Sequence, residues 1–343
     1  MLQFARIITT VDAHTAGEPL RIITSGYPLL KGKTMLEKRR YVKENYDHLR
    51  KLLMLEPRGH SGMYGCLVTA PSEPDGDFGV LFMHNEGYST MCGHGIIAIT
   101  KVAVETGMID IAPGKTLKEL KIDTPAGRIT ALCRIRDGMA VELSFYNVPS
   151  FVYREKLAVP VGGLGEVKVD IAFGGAFYAL VDAGQLNLKV ASAQAELLAK
   201  LGMEIKDKVA AMLDLVHPEE PELCGLYGTI ITEDVEKDSA GNLISKNVTI
   251  FADAQIDRSP TGTGTAARVA LLHKQGKMRA EATLQNRSII DTVFEARIHG
   301  FTKVGDYDAL IPEISGSAQI TGYHNFVLEQ DDPLPEGFRI TGG

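Results

Sequence analysis

The chain has 343 residues, 45% of them hydrophobic and 23% charged, and a net charge of −7, the composition of an ordinary globular protein long enough for two domains. It has no basic stripe to engage nucleic acid, no apolar run long enough to span a bilayer, and in its opening stretch no charged-then-apolar signal-peptide layout. The four cysteines (Cys66, Cys92, Cys133, Cys224) are widely separated without C-x-x-C, and the histidines lack H-x-x-x-H spacing, so a cytoplasmic protein with reduced thiols and no metal site is expected.

In chain order, strand patterns cover Phe4–Thr10, Leu20–Ile23, Cys66–Thr69, Gly79–His84, Ile129–Arg136, Met139–Phe145, Val167–Asp170, Phe177–Val181, Leu226–Thr232, Asn247–Phe251 and Ile290–Arg297. Helical spacing marks Thr34–Leu53, Gly95–Thr106, Ser192–Lys206 and Gly264–Gln275. The mixture predicts an α+β or α/β protein.

The two halves repeat. Cys92 lies in Met-Cys-Gly-His-Gly and Thr261 in Pro-Thr-Gly-Thr-Gly, each followed by a helix of small apolar residues. At the same offset of 169 residues, Phe82 maps to Phe251 and Gly107 to Gly276. Each half therefore reads strand, loop, x-G-x-G, helix, glycine, as expected of a duplicated pair of domains with a crossover near Tyr146–Leu157.

Glycines at a strand–helix junction leave backbone N–H groups open to a ligand, and the helix dipole favours an anion there. Two matched junctions suit one small carboxylate. The third glycine and the acidic residue of a dinucleotide fingerprint are missing. Cys92 stands at the first helix start, where thiolates are stabilised. Cys66 and Cys133 lie in apolar strands and are assigned to the core. His94 is spaced to sit beside the Cys92 thiol. Asp257, four residues before Thr261, either pairs with Arg258 or caps a turn, or else binds a substrate ammonium.

These motifs resemble the proline racemase family. Asn85–Gly95 (Asn-Glu-Gly-Tyr-Ser-Thr-Met-Cys-Gly-His-Gly) looks like its first catalytic motif, and Asp257–Gly264 (Asp-Arg-Ser-Pro-Thr-Gly-Thr-Gly) like its second. Asp12-Ala-His14-Thr-Ala-Gly17-Glu18-Pro19 and Glu56-Pro57-Arg58-Gly59-His60 also look like family signatures, so the likeness covers essentially the whole chain. It implies an α+β, diaminopimelate-epimerase-like fold: two pseudo-symmetric domains, each wrapping strands around a central helix, with the site in the cleft between them. The expected domains are 1–155, carrying Cys92, and 156–317, carrying Thr261, with a tail from about 318 to 343 free to return to the first. The resemblance implies that Cys92 is the base for the substrate Cα proton. It also implies that the backbone of Gly93, His94, Gly262 and Thr263 holds a carboxylate, with Gly264 among the substrate-binding residues, and that the side chains of His94 and Asp257 address a ring nitrogen. Tyr64 and Phe251 would wall the ring, with His14 nearby. No cofactor and a homodimer are implied too.

Two positions depart from the family pattern. Racemases and 4-hydroxyproline epimerases carry a second cysteine where this chain has Thr261, and the family's usual acidic residue is replaced by Gly62. The Cys/Thr pairing resembles members that dehydrate trans-3-hydroxy-L-proline to Δ1-pyrroline-2-carboxylate. Inversion at Cα needs a group on each face. Elimination needs one base, Cys92, and a leaving group on Cβ, here a 3-hydroxyl that leaves as water with Thr261, His14 or His94 as the candidate assisting group. The expected partner is thus a hydroxyproline or proline-like imino acid. Racemisation, 4-hydroxyproline epimerisation and non-catalytic binding of proline-like carboxylates stand as alternatives.

Overall fold

The computed structural model describes residues 4–340. They form two compact units. The first takes the described residues up to Met91, Gly95–Val141 and those from Ser317 onward; the second takes Cys92–His94 and Glu142–Gly316.

In the first unit, Ala318–Glu329 lies antiparallel to Phe4–Thr15, which is antiparallel to Glu18–Ser25. That strand runs parallel to Tyr64–Thr69, which is antiparallel to Phe78–His84. Phe78–His84 is parallel to Leu117–Thr124, which is antiparallel to Gly127–Arg136. The second unit follows the same order of steps through Ser150–Val161, Gly165–Phe173, Phe177–Asp182, Leu226–Thr232, Leu243–Phe251, Leu284–Arg287 and Val293–Val304. The duplication read from two glycine motifs is thus repeated strand by strand.

A parallel step needs a crossover, and helices supply it. The first step is crossed by α1 (Met35–Asn45) and α2 (Asp47–Met54) in the first unit. The second of that unit's parallel steps is crossed by α3 (Gly93–Glu105). In the second unit the same two roles fall to α4 (Ala195–Met212) and α5 (Gly262–Lys274). The expected single helix Thr34–Leu53 breaks at Tyr46, whose φ of −134° leaves the helical region. Its start is a capping box: Glu37 N–H donates to Thr34 Oγ1 at 3.1 Å, and Thr34 N–H to Glu37 Oε2 at 3.4 Å.

Helices α3 and α5 are the central ones. Ile96, Ile97, Ala98, Ile99, Val102 and Ala103 are all buried, as is every residue of α5 from Gly262 to Leu272. A helix enclosed on all sides must be apolar or small on all sides, which explains their Ala, Ile, Val and Gly content.

Two expected segments differ. Tyr146–Leu157, expected as the crossover, is mostly strand: one strand ends at Tyr146, Ser150–Val161 is the next, and residues 147–149 lie between them. Phe145 and Tyr146 pair with Ile314 and Glu313, whereas Ser150 and Phe151 pair with Leu310 and Ala309, so the stretch bends along a single partner strand. The strand expected at Ile290 begins at Val293, because Ser288–Thr292 closes a turn with Asp291 at φ 63°.

A buried ion pair ties the first unit's sheet to its crossover. Arg21 Nε and Nη2 donate to Asp12 Oδ2 at 3.0 and 2.9 Å. Arg21 Nη1 donates to the carbonyls of Leu53 and Arg58 at 2.7 and 2.6 Å, and the guanidinium lies over Phe326. Removing one partner leaves the other charge buried and uncompensated. Asp12→Ala should therefore cost about 3 kcal/mol, seen as a lower urea midpoint for this unit. An unchanged midpoint would show the pair to be stability-neutral.

Candidate active site

Cys92-Gly93-His94 and Thr261-Gly262-Thr263 come together within the second unit. A Cβ built on Gly93 would lie 2.5 Å from Gly262 Cα and 3.0 Å from Phe145 Cζ; one built on Gly262 would lie 2.5 Å from Gly93 Cα. No side chain fits at either position. The glycines allow the two backbones to meet.

Cys92 and His94 are buried, at 5% and 4% exposure. Cys92 Sγ lies 3.1 Å from His94 Nδ1 and 3.7 Å from Nε2. A thiol and an imidazole at that distance can exchange a proton.

Thr261 is the N-cap of α5 with φ 62° and ψ 105°, an outlying conformation for a β-branched residue. Such a conformation costs about 1–3 kcal/mol and persists only when its surroundings hold it. Here Thr261 N–H donates to Ser259 Oγ at 3.1 Å, and the Pro260 carbonyl accepts from Asn247 Nδ2 at 3.2 Å and Thr265 Oγ1 at 3.1 Å. The Thr261 hydroxyl has one proton and two oxygen neighbours at 2.7 Å, Asp257 Oδ2 and Thr249 Oγ1. A carboxylate only accepts, so Thr261 donates to Asp257 and Thr249 donates to Thr261. Asp257 Oδ1 accepts from Ser259 N–H at 2.8 Å. Asp257 is thus built into the Thr261 turn.

Behind Thr263 stands an aromatic group. Tyr178, fully buried, places its hydroxyl 2.6 Å from Thr263 Oγ1. Burial foremost, with the neighbouring Tyr227 next, pushes the Tyr178 phenol well above its ordinary pKa, so it stays protonated. Tyr178 packs edge-on to Tyr227, and Tyr227 stacks on Phe251 with 12° between the rings. Gly264 is tight against Ile230 and Thr261.

His14 and Tyr64 belong to the first unit. His14 Nδ1 accepts from Gly17 N–H at 3.3 Å. Tyr64 is buried, its hydroxyl 2.5 Å from Ser89 Oγ and its ring stacked on His84. Gly62, at φ 75°, donates its N–H to Asn85 Oδ1 at 2.9 Å. Sequence reasoning missed Thr249, Ser259, Tyr178 and Tyr227. Tyr178 sits in an apolar strand pattern that reads as core, and the hydroxyls carry no motif. Among the described residues no group of three His, Cys, Asp or Glu side chains is placed to hold a metal ion.

The proline racemase family model matches residues 10–339. The chain belongs to the proline racemase family. A trans-3-hydroxy-L-proline dehydratase from Bacillus thuringiensis subsp. konkukian is 46% identical over 339 residues, 99% of this chain and all of that one. A proline racemase from Clostridioides difficile is 42% identical over 337 residues, 98% of this chain and 99% of that one. Among solved structures, a hydroxyproline epimerase from Agrobacterium vitis with bound trans-4-OH-L-proline superposes with a TM-score of 0.91 at 29% identity, covering 99% of this chain and 97% of that one. The fold is therefore the α+β, diaminopimelate-epimerase-like fold that the motifs implied.

The thiols of this family member should separate by reactivity. Burial pushes the Cys66 thiol far up and the Cys133 thiol up to about 11. Cys224 is exposed. Iodoacetamide should label Cys92 faster than Cys66 or Cys133, and pyrrole-2-carboxylate should protect Cys92 but not Cys224; uniform labelling would remove the case for an activated thiol. Gly93→Ala, whose methyl has no room, should abolish that protection.

Proposed function

We propose that this chain is a cofactor-independent hydro-lyase that converts trans-3-hydroxy-L-proline to Δ1-pyrroline-2-carboxylate. One observation carries the reading: the helix start that follows the Cys92 thiol meets, at Gly93 and Gly262, the matched start, where a threonine stands with its hydroxyl already committed to Asp257 and Thr249. Full-length relatives at 44–46% identity named trans-3-hydroxy-L-proline dehydratase support it.

In this reading Cys92 takes the Cα proton as a thiolate. Backbone N–H groups of Gly93, His94, Gly262, Thr263 and Gly264 bind the carboxylate and stabilise negative charge growing onto it. Asp257 and His94 address the ring nitrogen, Phe251 and Tyr64 wall the ring, and His14 completes the substrate contacts. The 3-hydroxyl leaves as water, and the enamine tautomerises to the cyclic imine. Thr261 cannot act as a second base, because an alcohol is too weak a base at neutral pH. That weighs against racemisation and against the epimerisation named for the Agrobacterium vitis structure. A cytoplasmic homodimer goes with the proposal. Its four cysteines form no disulfide, which suits a reducing compartment, and the dimer follows from family likeness.

The test is incubation with proline and hydroxyproline isomers in D₂O, followed by NMR. Dehydration of trans-3-hydroxy-L-proline is expected, with little change in the 4-hydroxy isomers, whose hydroxyl is one carbon too far for β-elimination. Conversion of trans-4-hydroxyproline to its C2 epimer, with 3-hydroxyproline untouched, would replace the reading with the epimerase one. Cys92→Ser should lower the rate at least about 10²-fold, as loss of a general base does. Thr261→Cys should introduce some Cα inversion of proline, measurable by polarimetry; none at all would argue against Thr261 occupying the second base's place.

A further inference from the structure

We propose that His94 is the acid that protonates the departing 3-hydroxyl, so that Cys92 and His94 work as one proton-transferring pair on a single face of the substrate. This rests on the dehydratase reading above. In trans-3-hydroxy-L-proline the hydroxyl lies on the ring face opposite the carboxylate. The Cα hydrogen also lies opposite the carboxylate. Proton and hydroxyl therefore leave from the same face, and the base and the acid must both reach that face.

The base is Cys92, so the acid must stand beside it. His94 does: its Nδ1 is 3.1 Å from Sγ, and both side chains are buried within the same turn. Thr261 is placed by the repeat where the second, opposite-face group of a racemase would act. Its single proton is held by Asp257, and Thr249 fills its remaining contact. The Cys92 thiol itself is the weaker candidate, since Sγ gains a proton only as the Cα–H bond breaks, whereas the His94 imidazolium holds one from the start. Tyr178 is weaker still, because burial disfavours losing its proton.

The step balances. It starts from Cys92 thiolate and His94 imidazolium. The Cα–H bond breaks as S–H forms, the electron pair enters the Cα–Cβ bond, and the C3–O bond breaks. The leaving oxygen takes the His94 proton and departs as water. The enzyme is left as thiol and neutral imidazole, and transfer of one proton from Sγ to His94 restores the starting pair. No proton has to come from solvent during the elimination.

A leaving group that needs no proton separates this role from substrate binding or thiolate support. His94→Gln should lower kcat/KM on trans-3-hydroxy-L-proline by about 10²- to 10⁴-fold, yet on trans-3-chloro-L-proline by less than about tenfold. Equal losses on both substrates would overturn the proposal, leaving His94 only its contact with the ring nitrogen and its support of the thiolate. Should the buried substitution prevent folding, the unmodified enzyme gives the same answer. Its solvent deuterium isotope effect on kcat/KM should be larger for loss of hydroxide than for loss of chloride, and equal effects would overturn it. An unmodified protein that releases chloride but leaves the hydroxy substrate intact would sink the dehydratase reading itself, a result distinct from either of these.

Discussion

The contact between Gly93 and Gly262 is the constraint on which the site depends. The two Cα atoms sit where any Cβ would fall 2.5 Å from the facing backbone. Bringing two helix starts this close sets donors and the positive ends of peptide dipoles side by side in a dry place. The arrangement is unfavourable until an anion occupies it. A thiolate beside one start and a substrate carboxylate spanning both would each relieve that cost, so one packing choice favours both the base and the ligand.

Around this contact the second unit spends side-chain hydrogen bonds on holding backbone rather than on reaching a ligand. Asn247, Asn286 and Thr265 all bond the Pro260 carbonyl or one another. Ser259 bonds the Thr261 N–H, and Asn147 Nδ2 donates to the Gly174 carbonyl at 2.9 Å. Gly174 in turn leaves room for the Thr263 carbonyl, which a Cβ there would meet at 2.2 Å. The strained Thr261 torsion is over-determined by this network, as a torsion fixed for chemistry must be.

The sequence was most legible where a residue type has a single physical use. Paired glycines before apolar helices marked both helix starts and the duplication, and the resemblance carried by the Cys92 motif led to the right family and fold. Strands with one exposed face were harder. Ala318–Glu329 carries Tyr323, His324 and Asn325 in succession and is exposed or half-buried beyond Ala318, so its composition reads as loop; only its pairing with Phe4–Thr15 makes it a strand. Ser150–Val161 was obscured by Pro149, which interrupts pairing at one corner rather than ending the sheet. The hydroxyl network was illegible for a different reason. Thr249, Ser259 and Tyr178 lie in segments whose burial depends on tertiary packing, and nothing local separates a hydroxyl aimed at a site from one lodged in the core.

Threonine at position 261 does more than delete a base. Asp257 is buried at 4% exposure, and its Oδ2 takes a 2.7 Å hydrogen bond from Thr261. A thiol donates weakly, so a cysteine in the same place would leave that buried carboxylate less well satisfied unless it moved toward another donor. The hydroxyl therefore fixes Asp257 in a single orientation, with Ser259 N–H on its other oxygen. The same hydroxyl, held between Asp257 and Thr249, would in the proposed reaction have no proton to spare for a carbanion on its side. In a site with two thiols that face can deliver a proton and invert the substrate. In the proposed reaction this face would offer no such proton, and the carbanion would be left to expel its own β-substituent or to take its proton back from the side it came from.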